Sequence, residues 1–199
     1  MEERQPVSRS ELVFNIFSVP IFSKILQLDT KKLTKYCINL NKNVDSVSVS
    51  NRGGWQSPPL VGKAHPVLNN LISAINQEAE KYRKTISYKY PLRTIHLWIN
   101  INGYKDYNVR HTHPQCVVSG VYYLTQNNSN IVFVNPASPV IEYDWGRDVI
   151  ENYNEHNSSN WRITPAEDQL LIFPSWLAHR VEPNLSKKNR ISISFNLAR

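Results

Sequence analysis

Residues 94–102 read Thr94-Ile95-His96-Leu97-Trp98-Ile99-Asn100-Ile101-Asn102, a strict alternation of apolar and polar side chains. In an extended chain successive side chains point to opposite faces. Ile95, Leu97, Ile99 and Ile101 therefore share one face of a strand, and Thr94, His96, Trp98, Asn100 and Asn102 share the other. Short runs of the same kind follow at Val117–Thr125, Ile131–Val134, Val140–Tyr143, Gln169–Phe173, Ala178–Val181 and Ile191–Leu197, divided by turn-rich segments. That cadence predicts a sandwich or jelly roll for residues 91–199.

The stretch before residue 90 has a helical texture. Leu33, Cys37 and Leu40 fall on one side of a helix that begins at Thr30. From His65 to Ile86, Leu68, Leu71, Ile72, Ile75, Ala79 and Tyr82 recur at helical spacing, and Pro66 suits a first turn. The apolar stripe of this second helix is expected to lie on a sheet. Between the helices, Asn51-Arg-Gly-Gly-Trp-Gln-Ser-Pro-Pro has the punctuation of a loop, and Asp144–Asn160 is polar enough for a long surface loop that could act as a lid.

A chain of 199 residues fits one domain better than two, so residues 1–199 are expected to share a core. No apolar run approaches the roughly 20 residues of a membrane-spanning helix. Met1–Ser10 has no apolar stretch of a secretory signal, and the two cysteines, Cys37 and Cys116, are too few for a disulfide framework. Both features point to the cytoplasm. The excess of Lys and Arg over Asp and Glu, 23 − 16 = +7, fits a solubilising surface and is compatible with an acidic partner or nucleic acid.

Chemistry concentrates in the histidines. His111 and His113 are two residues apart, so on a strand both would reach one metal ion; His179 is a third candidate. Arg190 follows His179 across Glu182-Pro-Asn-Leu-Ser-Lys-Lys-Asn, a spacing that predicts a hairpin with Arg190 on the neighbouring strand. Arg190, Ser192, Ser194 and Asn196 share one face of the last strand. Set in a barrel mouth, that face offers a guanidinium to clamp a dicarboxylate and a serine hydroxyl as a further contact. Non-haem iron oxygenases need three protein ligands on one face of the metal, with positions left open.

The run Gln169-Leu-Leu-Ile-Phe-Pro-Ser-Trp-Leu-Ala-His-Arg-Val-Glu-Pro followed by Arg190-Ile-Ser-Ile-Ser-Phe-Asn resembles the end of the 2-oxoglutarate/iron(II) oxygenase core. Prolyl hydroxylases share its outline. A group of such oxygenases from bacteria and phages is more similar, extending to Asn51-Arg-Gly-Gly-Trp-Gln-Ser and His111-Thr-His-Pro-Gln-Cys-Val-Val-Ser-Gly-Val-Tyr-Tyr-Leu. The resemblance implies a mainly β double-stranded β-helix, a jelly roll of cupin type, with flanking N-terminal helices. It also implies Fe(II) as cofactor, 2-oxoglutarate as cosubstrate, and hydroxylation with release of succinate and carbon dioxide. His111 and His179 would bind iron, Arg190 the far carboxylate, and Tyr123 would assist, with Tyr122 in its place if the register differs by one.

Where prolyl hydroxylases have H-x-D, His113 stands here. The third ligand is then His113, water, or a carboxylate from elsewhere such as Asp106. Trp98 and Asn100 are candidates for the substrate pocket, with His96 beside them on the same strand face. The substrate stays open between a protein side chain, a small metabolite and nucleic acid. A non-catalytic cupin-like binding module is the competing class; a cupin metal site would place a glutamate shortly after the H-x-H, where Val117 and Val118 stand.

Overall fold

The computed structural model describes residues 14–60, 66–126, 128–144 and 147–199; Met1–Ser10 and His65 lie outside them. Two antiparallel sheets face each other. The six-stranded sheet has the order β1-β9-β6-β11-β4-β3, from β1 (Phe22–Ile25), β9 (Gln169–Pro174), β6 (Val118–Tyr123), β11 (Arg190–Ala198), β4 (Arg93–Asn102) and β3 (Trp55–Gln56). The five-stranded sheet runs β2-β5-β10-β7-β8, from β2 (Asn51–Arg52), β5 (Tyr107–His111), β10 (His179–Val181), β7 (Ile131–Val134) and β8 (Asn160–Ile163). This is the expected jelly roll.

Two helices cover the outer face of the larger sheet. Helix α1 (Thr30–Asn41) starts where the Asp29 side chain accepts the Lys32 N–H at 2.9 Å, and it buries Leu33 and Cys37. Helix α2 (Pro66–Thr85) buries Leu68, Leu71, Ile75, Ala79 and Tyr82 in one cluster with Leu97, Ile99, Ile193 and Phe195 of the sheet. The predicted stripe therefore packs as expected. Glu78 is buried on the same helix, where Lys24 at 2.6 Å and Lys81 at 2.8 Å neutralise it and pin β1 to α2. A smaller cluster, including Val121, Tyr123, Phe133, Leu171, Phe173 and Leu177, fills part of the space between the sheets.

Some local expectations are corrected. Val140–Tyr143 is not a strand but part of helix α3 (Ser138–Asp144). Asn135 starts it, its side chain accepting the Ala137 N–H at 2.9 Å and its carbonyl the Ser138 N–H, and Pro139 suits the first turn. Val140 and Tyr143 are exposed, so no buried face required a strand there. The loop after Ser50 contributes the two-residue strands β2 and β3, joined by Gly53 and Gly54, both at positive φ. After a 3-10 turn at Arg147–Val149, residues 150–159 before β8 have no helix or strand.

The predicted hairpin before Arg190 is also absent. His179 lies in the smaller sheet and Arg190 in the larger one, so the connection crosses between sheets. Asn184 fixes that crossing. Its side-chain N–H groups donate to the Asn102 and Lys188 carbonyls, each at 2.9 Å, and its backbone N–H donates to the Asp106 carbonyl. The segment is thereby tied to the β4–β5 turn, and it cannot fold back on β10.

Gly120 of β6 sits opposite Phe195 of β11. A Cβ there would meet the Phe195 ring at 2.2 Å and the Leu171 carbonyl oxygen at 2.4 Å. The aromatic ring fills the space that the glycine leaves open. Gly120→Ala should destabilise the fold by about 1–3 kcal/mol or more, since backbone as well as side chain must move; thermal and urea denaturation would measure it.

Candidate metal centre

His111 and His179 are direct cross-strand partners of β5 and β10, so their side chains emerge on the same face, toward the larger sheet. His113 joins them, with ring centroids 5.1 Å from both His111 and His179 and 4.4 Å between the latter two. One potential ligand atom from each histidine lies within 4.8 Å of the others. Asp106, the alternative third ligand, is not part of this group; its carboxylate accepts the Gly103 N–H at 2.7 Å.

Strand geometry does not deliver His113, because β5 ends at His111. It is held instead by its backbone N–H, which donates to the Ser175 carbonyl at 2.9 Å, and by the Trp98 ring at 5.5 Å.

Each imidazole is anchored through Nδ1. The partners are the Val109 carbonyl for His111 at 2.7 Å, the Asn196 Oδ1 for His113 at 2.7 Å, and the Leu177 carbonyl for His179 at 2.9 Å. All three partners are oxygen acceptors, so each Nδ1 carries the proton and each Nε2 keeps a lone pair. Burial, together with the neighbouring His111 ring, pushes His179 down to about 3 and His113 down to about 4; burial also lowers His111. The rings are thus neutral near pH 7. The Nε2 of His113 is buried and has no hydrogen-bond partner among the described residues. A buried lone pair left unsatisfied is costly, and a cation shared with His111 and His179 would satisfy it. Neutral imidazole donors suit iron.

Across the cleft, the last strand presents Arg190, Ser192, Ser194 and Asn196 toward the histidines. Ser192 pairs with Tyr123 and Asn100, which puts both on the same inner face. Trp98, Asn100, Tyr123, Arg190, Ser192 and Ser194 line one cleft with the three histidines. Tyr122 is not brought there. It points to the helix side, inside the core, and its hydroxyl donates to the Asp168 carboxylate, which also accepts the Gln27 and Leu28 N–H groups. His96 is exposed at the outer part of β4 and does not line the cleft.

Arg190 is 2% exposed, yet among the described residues the one hydrogen bond of its guanidinium is a long contact of 3.4 Å with the Glu182 carbonyl. None of the ion pairs among the described residues includes it. Burial pulls its pKa down, opposed by nearby Tyr123 and Asp106. The Ser119 and Ser175 hydroxyls, 2.7 Å apart, and the Asn196 amide form a polar chain behind His113 that residue-by-residue reading missed. Its members are up to 77 residues apart, so only the fold brings them together.

Among solved structures, a prolyl-4-hydroxylase from Pseudomonas putida is similar at 13% identity, covering 90% of this chain and 92% of its own, with a TM-score of 0.62. HygX from Streptomyces hygroscopicus, solved with nickel, 2-oxoglutarate and hygromycin B, is similar at 13% identity, covering 90% and 83%, with a TM-score of 0.62. A Trichoplax adhaerens prolyl hydroxylase, in complex with a peptide fragment of the hypoxia inducible factor oxygen degradation domain, is similar at 19% identity, covering 90% and 82%, with a TM-score of 0.57. These likenesses bear out the fold. No curated protein matches the sequence. The family model described as "Putative 2OG-Fe(II) oxygenase" matches residues 96–196, half of the chain, and spans the histidines, Arg190 and the strands between them. The chain belongs to this family of 2-oxoglutarate- and iron(II)-dependent oxygenases.

Proposed function

We propose that His111, His113 and His179 together hold the iron, and that Arg190 with Ser192 and Tyr123 takes the far carboxylate of 2-oxoglutarate. The observation that carries this is the buried guanidinium of Arg190, which has no ion pair among the described residues and faces three neutral histidines across one cleft. A buried charge demands compensation. A dicarboxylate supplies it at one end and reaches the metal at the other. Planar guanidinium geometry suits a two-pronged carboxylate contact, and the Ser192 hydroxyl adds a donor.

Iron(II), with 2-oxoglutarate and dioxygen, supplies oxidative decarboxylation to succinate and carbon dioxide coupled to hydroxylation of a C–H bond. The chain's residues bind and orient. Tyr123, buried and next to Arg190, keeps its hydroxyl protonated, because burial raises its pKa; it is available as a donor to the same carboxylate. Trp98 and Asn100 line the approach to the histidines and would meet the substrate. We take that substrate to be a peptide or a small molecule, the two kinds named for the hydroxylase and HygX. Residues 1–199 would act as one domain. No helix among the described residues is long and apolar enough to cross a membrane. The free cysteines, Cys37 and Cys116, fit a reducing, cytoplasmic setting.

Anaerobic titration with iron(II) and then 2-oxoglutarate should give the visible charge-transfer band of the chelate. Absence of both that band and succinate formation by the parent protein would refute the reading. His179→Ala should lose iron while keeping its melting transition, as metal analysis beside circular dichroism would show. His113→Ala should weaken iron binding, and His113→Asp, which restores H-x-D, should retain it; parent-like affinity in the alanine variant would remove His113 from the ligand set. Arg190→Ala should weaken 2-oxoglutarate by about 3–5 kcal/mol, a factor of several hundred or more, with iron affinity little changed. Arg190→Lys should recover part of that loss, since the charge returns without the planar fork.

A further inference from the structure

Of the three histidines, two have their Nδ1 held by backbone carbonyls close in sequence, Val109 for His111 and Leu177 for His179. Such anchors come with the local chain. His113 differs in both respects, since it lies beyond the end of its strand and its ring is held by a side chain 83 residues away. That side chain is Asn196, on β11 of the opposite sheet.

The Asn196 amide has a defined orientation only if something distinguishes its oxygen from its nitrogen. Ser119 does this. Its hydroxyl donates to Asn196 Oδ1 at 2.8 Å, and Ser119 Oγ is itself 2.7 Å from Ser175 Oγ. Both serines are buried, at 0% and 1% exposure, so water does not compete for these bonds. With its oxygen turned to Ser119, the amide also presents an acceptor to His113 Nδ1 at 2.7 Å. The same Ser175 takes the His113 backbone N–H on its carbonyl. One unit of three residues, Ser175 just after the end of β9, Ser119 of β6 and Asn196 of β11, thus fixes both the backbone and the ring of His113.

We infer that Asn196, oriented by Ser119 and Ser175, is a positioning residue that holds His113 as the Nδ1–H tautomer with its Nε2 lone pair free for the metal. This rests on His113 being a ligand, as proposed above. Without the amide oxygen, a neutral imidazole is free to carry its proton on Nε2 instead, which would block coordination. Groups that orient a ligand histidine in this way are typically worth about 10–100-fold in metal affinity. An amide, unlike a carboxylate, adds no charge. The centre would therefore keep the full charge of its cation, which favours an anionic cosubstrate.

The test uses the full chain in two arms. In the metal-free protein, nitrogen-15 NMR of the imidazoles reads the tautomer directly. Parent protein should show His113 as Nδ1–H, Asn196→Ala should move it toward Nε2–H, and Ser119→Ala should move it partway. Asn196→Asp, which keeps an acceptor at the same place, should leave the parent tautomer in place. In the second arm, anaerobic titration with cobalt(II) should show about a 10–100-fold weaker affinity for Asn196→Ala, a smaller loss for Ser119→Ala, and none for Asn196→Asp. Should Asn196→Ala fail to fold, the Ser119→Ala and Asn196→Asp pair decides by the same two readouts. Parent-like tautomer and cobalt affinity in Asn196→Ala, or in Ser119→Ala where that variant decides, would overturn the inference. A parent protein that binds no cobalt would instead overturn the metal-site reading, and the tautomer arm would still decide what Asn196 does.

Discussion

The alternation of β11 is the constraint on which the site depends. Ile191, Ile193, Phe195 and Leu197 are 0–3% exposed and enter the core beneath the helices. Burial of four such side chains is worth roughly 6–12 kcal/mol as an upper estimate. Slipping the strand by one residue would turn that whole set into the cleft and put Arg190, Ser192 and Asn196 into the core. The strand also pairs along its length with β4 on one side and with β6 on the other. Site geometry on the larger sheet is therefore fixed by apolar packing on the face that has no part in the chemistry.

The facing sheet contributes a different kind of order. His111 and His179 are locked by pairing of β5 with β10, and their rings are turned by carbonyls within two residues. Burial holds these rings neutral, so the cluster carries no charge repulsion of its own. Electrostatic demand then has a clear pattern. The cleft has three neutral donors at one end and a buried guanidinium at the other. A divalent cation alone would add charge to a cleft that already holds Arg190, which forms no ion pair among the described residues. In the proposed reading, cation and dicarboxylate together would balance most of it, which is a reason for both to share one cleft.

Much of this was legible in the sequence, because it depends on periodicity. Residues 94–102, 131–134, 169–173 and 191–197 read as strands and are strands, and both long helices fall where the apolar spacing puts them. The residues chosen for the iron and for 2-oxoglutarate, Tyr122 apart, line one cleft. What was not legible depends on contacts distant in sequence. Asn184 reaching Asn102 converts an apparent hairpin into a crossing between sheets. Tyr122 and Tyr123 are equivalent as letters and differ only in which face of β6 each occupies, which the pairing of Tyr123 with Ser192 decides. Helix α3 was missed because a cap from Asn135 outweighs the β-branched character of Val140 and Ile141.

In the reading proposed above Arg190 takes a carboxylate, and the acid that acts on its charge is committed elsewhere. Asp106 is close enough to act on the Arg190 charge, but its Oδ2 accepts the Gly103 N–H and its carboxylate lies against Gly53 and Gly54. A Cβ on Gly53 would stand 2.0 Å from Asp106 Oδ1, and both glycines have the positive φ that side chains disfavour. The Gly-Gly turn can therefore close over Asp106 only as glycine. Closure keeps the carboxylate on the β4–β5 turn, where Asn184 also docks through the Asp106 carbonyl. An acid free to swing would form a buried ion pair with Arg190 and compete with any incoming carboxylate. In the proposed reading, the Asn51-Arg-Gly-Gly-Trp-Gln-Ser segment would serve the cosubstrate end of the cleft by restraining Asp106.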